Sequence, residues 1–411
     1  MSHVFESFLS TSEMLDVLNE QDFFAAMLRF ESALSTAQAQ VGLIPESAAQ
    51  TIRSCCSVGQ FDVPQLLAES GRAGSVAVPL IKALKGAVGR VNPAAVPYTH
   101  FACTSQDVID TALALVTQRA LALIERDTQR VVVALHTLAA RHAANPVLAR
   151  TLMQPASVTS FGLKCIGWAA PLVRSLQRLA VARAPALVVQ LGGAVGTNAQ
   201  MKTFGPDVVA RVAAELGLCA EPAVWHTQRD EWVALGCELG LLVGSLGKVA
   251  KDVALMGQFE VAEVAEPTQA GCAGSSTMPH ERNPVACMVA LAASVRAPQR
   301  VAALLAAMPQ EHERALGFWQ AELAEWPGLL MATHGAMHAM ALMLPSLQVD
   351  TLRMHANIDA VRAVLPADGA DEWFNPALAQ HAARLTQAQL VSQHALMAAL
   401  ATRHPPSKGP P

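Results

Sequence analysis

The chain has 411 residues, of which 52% are hydrophobic, 5% aromatic and 15% charged, and its formal net charge is −4. This length allows two or three domains with a sizeable buried core, and the small negative charge gives no electrostatic reason to expect nucleic-acid binding. So few charges favour the burial of apolar surface between subunits.

The eight cysteines are scattered without a Cys-x-x-Cys pair, and the N-terminus lacks an apolar signal core. Both features predict reduced thiols in the cytoplasm. The stretch 329–344 has no charged residue, but it is shorter than the ~20 residues that a membrane span needs. We predict a core helix there, with no membrane association. Its His334 and His338 have no third ligand evident in the sequence, so packing is predicted rather than metal binding.

Apolar residues recur at helical spacing throughout and no segment alternates like a strand, so the sequence predicts an all-α protein. Glycine and proline break residues 1–105 into short helices, predicted as an N-terminal helical domain. Residues 106–345 are predicted as a central domain, residues 346–404 as a C-terminal helical domain and residues 405–411 as a disordered tail. The long helices predicted for the central domain cover about 106–145, 157–182, 227–264, 284–308 and 326–344.

The third long helix carries Gly236, Gly240, Gly244 and Gly247 on one side. Glycine weakens an isolated helix. We therefore predict that these positions allow another helix to approach closely.

A polar loop with the sequence Gly-Ser-Ser-Thr-Met-Pro-His-Glu-Arg-Asn-Pro occupies residues 274–284 and follows a proline-free stretch. Its glycine frees the backbone, and adjacent hydroxyls at Ser275 and Ser276 suit contact with a small anion. Gly-Ser-Ser alone is more typical of a plain polar connection between helices. The complete string at residues 274–284 favours the anion-contacting loop over a plain connection.

The string resembles the Gly-Ser-Ser-x-Met-Pro-x-Lys-x-Asn-Pro loop of the fumarase/aspartase superfamily. Three further segments, 104–107, 225–230 and 308–314, resemble those of bacterial 3-carboxy-cis,cis-muconate cycloisomerases. The resemblance runs from about Phe5 to about Asn357. It implies an all-α fumarase/aspartase fold with a central bundle of long helices, assembled as a homotetramer around a twenty-helix core.

The resemblance also implies a chemistry. A cycloisomerase of this family converts 3-carboxy-cis,cis-muconate to 4-carboxymuconolactone, an intramolecular lyase reaction of protocatechuate (β-ketoadipate) catabolism. It implies a small tricarboxylate as substrate and no cofactor. Such a reaction needs donors that hold several carboxylates, and a group that transfers a proton beside one of them.

The resemblance implies two sets of site residues. The catalytic residues are Ser275, as base or acid, with Ser276 and Glu281. The substrate-binding residues are His100, Thr104, Ser105, Gln106, Gln154, Thr227, Gln228, Arg229, Met278, Asn283 and Arg314.

Several of these residues have structural alternatives when spacing alone is considered. Thr104 or Ser105 also fits the cap of the helix that follows. Arg229 also fits a surface pair with Asp230 or Asp252. The charged run 311–314 also fits a solvated turn.

The chain departs from the family pattern at three places. Glu281 stands where the family loop has lysine, Pro155 where it has a histidine tied to proton transfer, and Leu152 where it tends to have tryptophan. The C-terminal domain is abridged relative to the family. Three functions therefore stay open: the cycloisomerase, a related lyase or isomerase on another carboxylate, and a catalytically impaired homologue that acts as a structural or regulatory partner.

Overall fold

The computed structural model describes residues 2–221, 223–267 and 282–403. These residues form fifteen α-helices. In chain order their bounds are α1 Ser2–Leu9, α2 Ser12–Val17, α3 Glu20–Gln40, α4 Glu46–Cys55, α5 Val63–Ala73, α6 Ala77–Val91, α7 Ser105–Arg141, α8 Phe161–Ala186, α9 Gly205–Leu216, α10 Asp230–Gly257, α11 Val285–Ala306, α12 Phe318–Met343, α13 Thr351–Arg362, α14 Ala367–Trp373 and α15 Leu378–Arg403.

The prediction of an all-α fold with five long helices is confirmed. The five are α7, α8, α10, α11 and α12, with 37, 26, 28, 22 and 26 residues. Helix α7 packs against α8 and α12, and α10 packs against α8, α11 and α12. At 1.5 Å per residue, α7 is about 55 Å long. Features at its two ends are therefore far apart within one chain.

Three of the four glycines predicted to lie on one side of α10 explain its close packing. A Cβ atom added at Gly236, Gly240 or Gly247 would lie within 2.9 Å of an α11 side chain, so only glycine fits there without a shift. The prediction of close helix approach is confirmed for these three positions. It is wrong for Gly244 within the described residues, because a Cβ atom there would meet nothing within 4 Å.

The expectation that the chain has no strands is wrong. Strands β1 Pro146–Thr151 and β2 Gln154–Ser160 form an antiparallel hairpin, and β3 Val264–Ala265 pairs with β4 Gln348–Val349. The hairpin turn consists of Leu152 and Met153, whose φ angles are 50° and 68°. Two-residue hairpin turns with positive φ normally carry Asn or Gly. The sequence therefore gave no turn signal here.

The predicted end of the third long helix near Val264 is wrong, because α10 ends at Gly257 and Val264 belongs to β3. Two helix starts also differ from the prediction, for local reasons. Helix α8 begins at Phe161 rather than near residue 157, because β2 takes the intervening residues and the Ser160 side chain caps the Leu163 N–H at 3.0 Å. Helix α12 begins at Phe318 rather than at Trp326, and it continues through Pro327. The predicted stretch 329–344 lies in the buried part of α12, as expected for a core helix.

The predicted domain boundaries stay predictions. Helices α1–α6 precede the long helices and α13–α15 follow them. The tail at residues 405–411 lies outside the described residues.

Candidate active site

The N-terminus of α7 is the centre of the candidate site. Thr104 is its N-cap residue, and the Thr104 N–H donates to Asp107 Oδ2 at 3.0 Å. The buried Asp107 carboxylate also accepts from the N–H groups of Gly192 and Gly193 at 3.0 and 2.9 Å, and it lies 2.7 Å from His226 Nε2. Asp107 thus fixes two distant segments against the start of α7. Thr104 serves as the helix cap, and its hydroxyl also accepts a hydrogen bond from a cationic side chain.

The cationic side chain at the Thr104 hydroxyl is Arg314. Arg314 Nη1 donates to Thr104 Oγ1 at 2.8 Å. Thr227 Oγ1 donates to the His312 carbonyl at 3.0 Å, which holds the segment that carries Arg314 against the start of α10. Among the described residues, Arg314 pairs with no carboxylate. A half-buried guanidinium without a counter-charge, beside a helix N-terminus, is a suitable place for a carboxylate ligand.

His100 brings a second basic group to the loop before Thr104. Its Nδ1 lies 2.6 Å from Oε1 of the buried Glu31. Burial alone would lower the pKa of His100, but the Glu31 carboxylate outweighs it and raises the pKa above its usual value. His100, Thr104, Thr227 and Arg314 therefore belong to one end of the helix bundle.

Arg229, predicted to contact substrate, lies in the protein interior instead. Its guanidinium donates to Asp110 Oδ2 at 2.9 Å and to both carboxylate oxygens of Glu322, and it lies 4.3 Å over the Trp225 ring. All three charged side chains have 0% exposure. The alternative of a surface pair with Asp230 or Asp252 is also wrong. We therefore leave Arg229 out of the proposed substrate contacts.

Gln106 is likewise a buried structural residue. Its side-chain amide donates to the His226 carbonyl at 2.8 Å and to Asp110 Oδ2 at 3.1 Å. Asp110 also accepts from Trp319 Nε1 at 2.9 Å. This network joins α7, α10 and α12 behind the site. The side-chain N–H groups of Gln106 are used within it.

The remaining predicted residues divide between the two ends of the bundle. Ser105 is half-buried and Gln228 exposed, both near Thr104 and Thr227 in the chain, whereas Gln154 is exposed at the hairpin tip and Asn283 is exposed before α11. Ser275, Ser276, Met278 and Glu281 lie outside the described residues.

Gln154 and Asn283 belong to the far end. Arg150 of the hairpin pairs with the buried Glu263 at 2.9 Å, and Glu266 accepts from the Ala286 and Cys287 N–H groups at 3.0 and 2.9 Å. These contacts lie beyond the C-terminal end of α10, and the hairpin begins just after α7 ends. One chain therefore separates the Thr104 half of the predicted site from the Gln154 half by about the length of α7, roughly 55 Å.

His334 and His338 share a buried carboxylate partner that is distant from them in the sequence. Oδ2 of the buried Asp127 lies 3.1 Å from His334 Nε2 and 2.8 Å from His338 Nδ1. Arg126 and Arg130 also donate to this carboxylate at 3.0 to 3.1 Å. Five nitrogen atoms thus surround Asp127, and both histidines are hydrogen-bonded to it.

Comparison with known proteins identifies the family. A family model described as "Lyase" matches residues 7–298. The chain is 41% identical over 393 residues to a 3-carboxy-cis,cis-muconate cycloisomerase of Pseudomonas aeruginosa, covering 95% of this chain and 84% of that protein. It is 38% identical over 381 residues to a nitrosuccinate lyase of Streptomyces davaonensis, covering 90% and 80%.

The fold comparison agrees with the sequence comparison. The crystal structure of the 3-carboxy-cis,cis-muconate lactonizing enzyme from Pseudomonas putida superposes with a TM-score of 0.88 at 33% identity, covering 96% of this chain and all of that one. A fumarate lyase from Mesorhizobium gives a TM-score of 0.77 at 30% identity, covering 96% and 92%. The chain belongs to the fumarase/aspartase superfamily of lyases.

Proposed function

We propose that this protein is a cycloisomerase that converts 3-carboxy-cis,cis-muconate to 4-carboxymuconolactone in protocatechuate catabolism. The observation that carries the proposal is the group of hydrogen-bond donors at the start of α7. There a helix N-terminus, the Thr104 hydroxyl and the Arg314 guanidinium come together, and no carboxylate in the described part of the chain pairs with Arg314. The relatives that share the fold over nearly the whole chain include enzymes named for this reaction.

The proposed mechanism follows from where charge develops. One carboxylate oxygen of the substrate adds to the conjugated double bond, and a proton is delivered to the carbon alpha to another carboxylate. Thr104, Ser105 and Arg314 would hold a carboxylate and stabilise the negative charge that builds on it. Ser275, with Ser276 beside it, is the proposed proton-transfer residue, and Gln154, Met278 and Asn283 are proposed substrate contacts from the other half of the site.

A second candidate is a lyase or isomerase that acts on a different carboxylate substrate. Two features favour it: Glu281 replaces the lysine of the family loop, and Pro155 replaces a histidine and cannot transfer a proton. Relatives of comparable identity include a nitrosuccinate lyase. In this candidate, Glu281 would pair with a cationic amine of the substrate or donate a proton to it.

A direct ultraviolet assay separates these candidates. We expect the purified protein to consume 3-carboxy-cis,cis-muconate at a weak but measurable rate, because the chain retains the proposed carboxylate contacts Thr104 and Arg314 while Pro155 and Glu281 impair proton transfer and charge balance. Arg314→Gln is expected to raise KM, since it removes a charge-assisted hydrogen bond but keeps an amide donor. A folded wild-type protein that leaves the substrate unchanged would refute the cycloisomerase proposal.

We further propose that the protein is a cytoplasmic homotetramer whose active sites are shared between subunits. Thr104 and Gln154, both predicted site residues that the structure describes, lie at opposite ends of the helix bundle, so a neighbouring subunit would bring a second Gln154 to Thr104. Helix α11 exposes Val285, Met288, Val295 and Leu305 with exposures between 42% and 69%. An apolar face of this kind on a long helix suits burial against another copy.

Sedimentation analysis tests the tetramer. We expect a single species of four subunits at micromolar concentration, and we expect Val295→Glu to dissociate it because the substitution places a charge in the proposed interface. A charge added on α9, for example Ala210→Glu, is the matched control and should leave the assembly intact. A stable wild-type monomer would contradict both the tetramer and the shared site.

A further inference from the structure

Glu31 has no role in the function described so far, although its partner His100 is a predicted substrate contact. Glu31 lies on α3 with 1% exposure, and its only hydrogen-bond partner in the described part of the chain is His100. Its second oxygen, Oε2, is buried without a partner there. Burying a carboxylate is costly unless a positive charge or hydrogen-bond donors lie beside it. The contact therefore couples the charge of the His100 ring to a buried carboxylate on α3.

The backbone around His100 is held in an uncommon conformation. His100 and Ala102 have φ angles of 60° and 57°, in the left-handed region that disfavours residues other than glycine. Gln38 of α3 donates from Nε2 to the Phe101 carbonyl at 2.8 Å. Two buried polar side chains of α3, Glu31 and Gln38, thus fix this loop and the direction of the His100 ring.

The charges that face His100 come from three helices. Glu31 of α3 and Asp107 of α7 raise the pKa of His100, and Lys85 of α6 lowers it. Cys103 lies beside the pair, but burial raises the pKa of its thiol, so it adds no charge. Glu31 engages Nδ1, and no hydrogen bond among the described residues engages Nε2. Nε2 is thus the ring nitrogen that remains to donate to a ligand.

We propose that Glu31 is a positioning residue that keeps the His100 imidazole charged and oriented, so that His100 acts beside Arg314 as a second cationic donor to a substrate carboxylate. This inference rests on the proposed function, since it assigns a role within the same carboxylate site. It also offers a source of positive charge in a chain whose loop carries Glu281 in place of lysine.

The test uses citrate, a tricarboxylate, as a probe of the assembled protein, with affinity measured by calorimetry from pH 5.5 to 8.5. Glu31→Gln removes the negative charge but keeps the shape of the side chain. His100 then becomes neutral at lower pH, because burial still lowers its pKa while the opposing carboxylate is gone. We expect the affinity of Glu31→Gln for citrate to fall about tenfold or more at pH 8, as for the loss of a charge-assisted hydrogen bond, and to approach wild type as pH falls.

A double-variant cycle shows whether Glu31 acts through His100. His100→Gln is expected to weaken citrate binding and to leave only the pH dependence that comes from the ionisation of citrate itself, and Glu31→Gln should then have no further effect in that background. Glu322→Gln is the matched control: it neutralises another buried carboxylate, whose partner Arg229 does not titrate, and should leave the pH profile unchanged.

Three outcomes would overturn the inference. They are equal pH profiles for wild type and Glu31→Gln, equal affinities for wild type and His100→Gln, and no citrate binding by wild type at millimolar concentration. If Glu31→Gln does not fold, His100→Gln alone decides. Binding does not require turnover, so a protein that binds citrate with the expected pH dependence but leaves 3-carboxy-cis,cis-muconate unchanged would refute the cycloisomerase alone.

Discussion

Glu281→Lys is expected to raise the rate at which this protein cyclises 3-carboxy-cis,cis-muconate, and Pro155→His is expected to raise it further. The substrate carries three carboxylates, and the family places a lysine where this chain has Glu281. At ~4 Å and an effective dielectric constant near 20, opposite charges gain about 4 kcal/mol, and reversing one sign changes the interaction by up to roughly twice that. A restored general acid or base typically contributes ~10²–10⁴-fold in rate.

The measurement is kcat and KM for the wild type, the two single variants and the double variant. Glu215→Lys on the exposed face of α9 is the matched control, because it changes the net charge equally without approaching the site. Ser275→Ala added to the double variant should abolish the gain, since Ser275 is the proposed proton-transfer residue. A fast wild type that Glu281→Lys slows down would show that Glu281 serves a different reaction and would favour the second candidate function.

The helices could be predicted from the sequence because their signals are local. The proline-free stretch after Thr104 and the apolar spacing fix α7, and the α10 glycines predict where α11 approaches. The β1–β2 hairpin could not be predicted, because Leu152 and Met153 adopt positive φ without the residues that usually signal such a turn. The surrounding structure, rather than local preference, holds that turn.

The candidate site could be predicted only in part, because the side chains that contact one another there are distant in sequence. Glu31 is 69 residues from His100, and Arg314 is 210 residues from Thr104. Resemblance to a family names residues of one site, but it does not say which chain supplies each of them. The length of α7 supplies that information, because it places Gln154 far from Thr104 within a single chain.

Arg229 is predicted as a substrate contact because nothing local in the sequence marks it as buried. An arginine at the start of a helix, in a polar motif, has no local sign of burial. Its partners Asp110 and Glu322 are 119 and 93 residues away. Only the packing of α7, α10 and α12 brings them together, and the Trp225 ring covers the guanidinium. The polar motif thus contains both a structural residue, Arg229, and a residue near the site, Thr227.

Arg229→Met is expected to lower the free energy of unfolding by about 3–5 kcal/mol, because it leaves Asp110 and Glu322 buried without their counter-charge. Urea unfolding at a fixed protein concentration measures the loss. Arg53→Met is the matched control. It breaks the exposed pair with Glu46, and such pairs contribute about 1 kcal/mol or less.

The loss of unfolding free energy in Arg229→Met should depend on pH in a defined direction. Burial raises the pKa of Glu322 above its usual value even with Arg229 opposing it, so the folded protein holds this proton more tightly than the unfolded chain does. Stability therefore falls as pH rises through the folded pKa of Glu322. Removing Arg229 raises that pKa further, and Arg229→Met should be closer to wild type at pH 5 than at pH 7.5. A variant as stable as wild type at pH 7.5, with a raised KM, would instead place the guanidinium at the substrate.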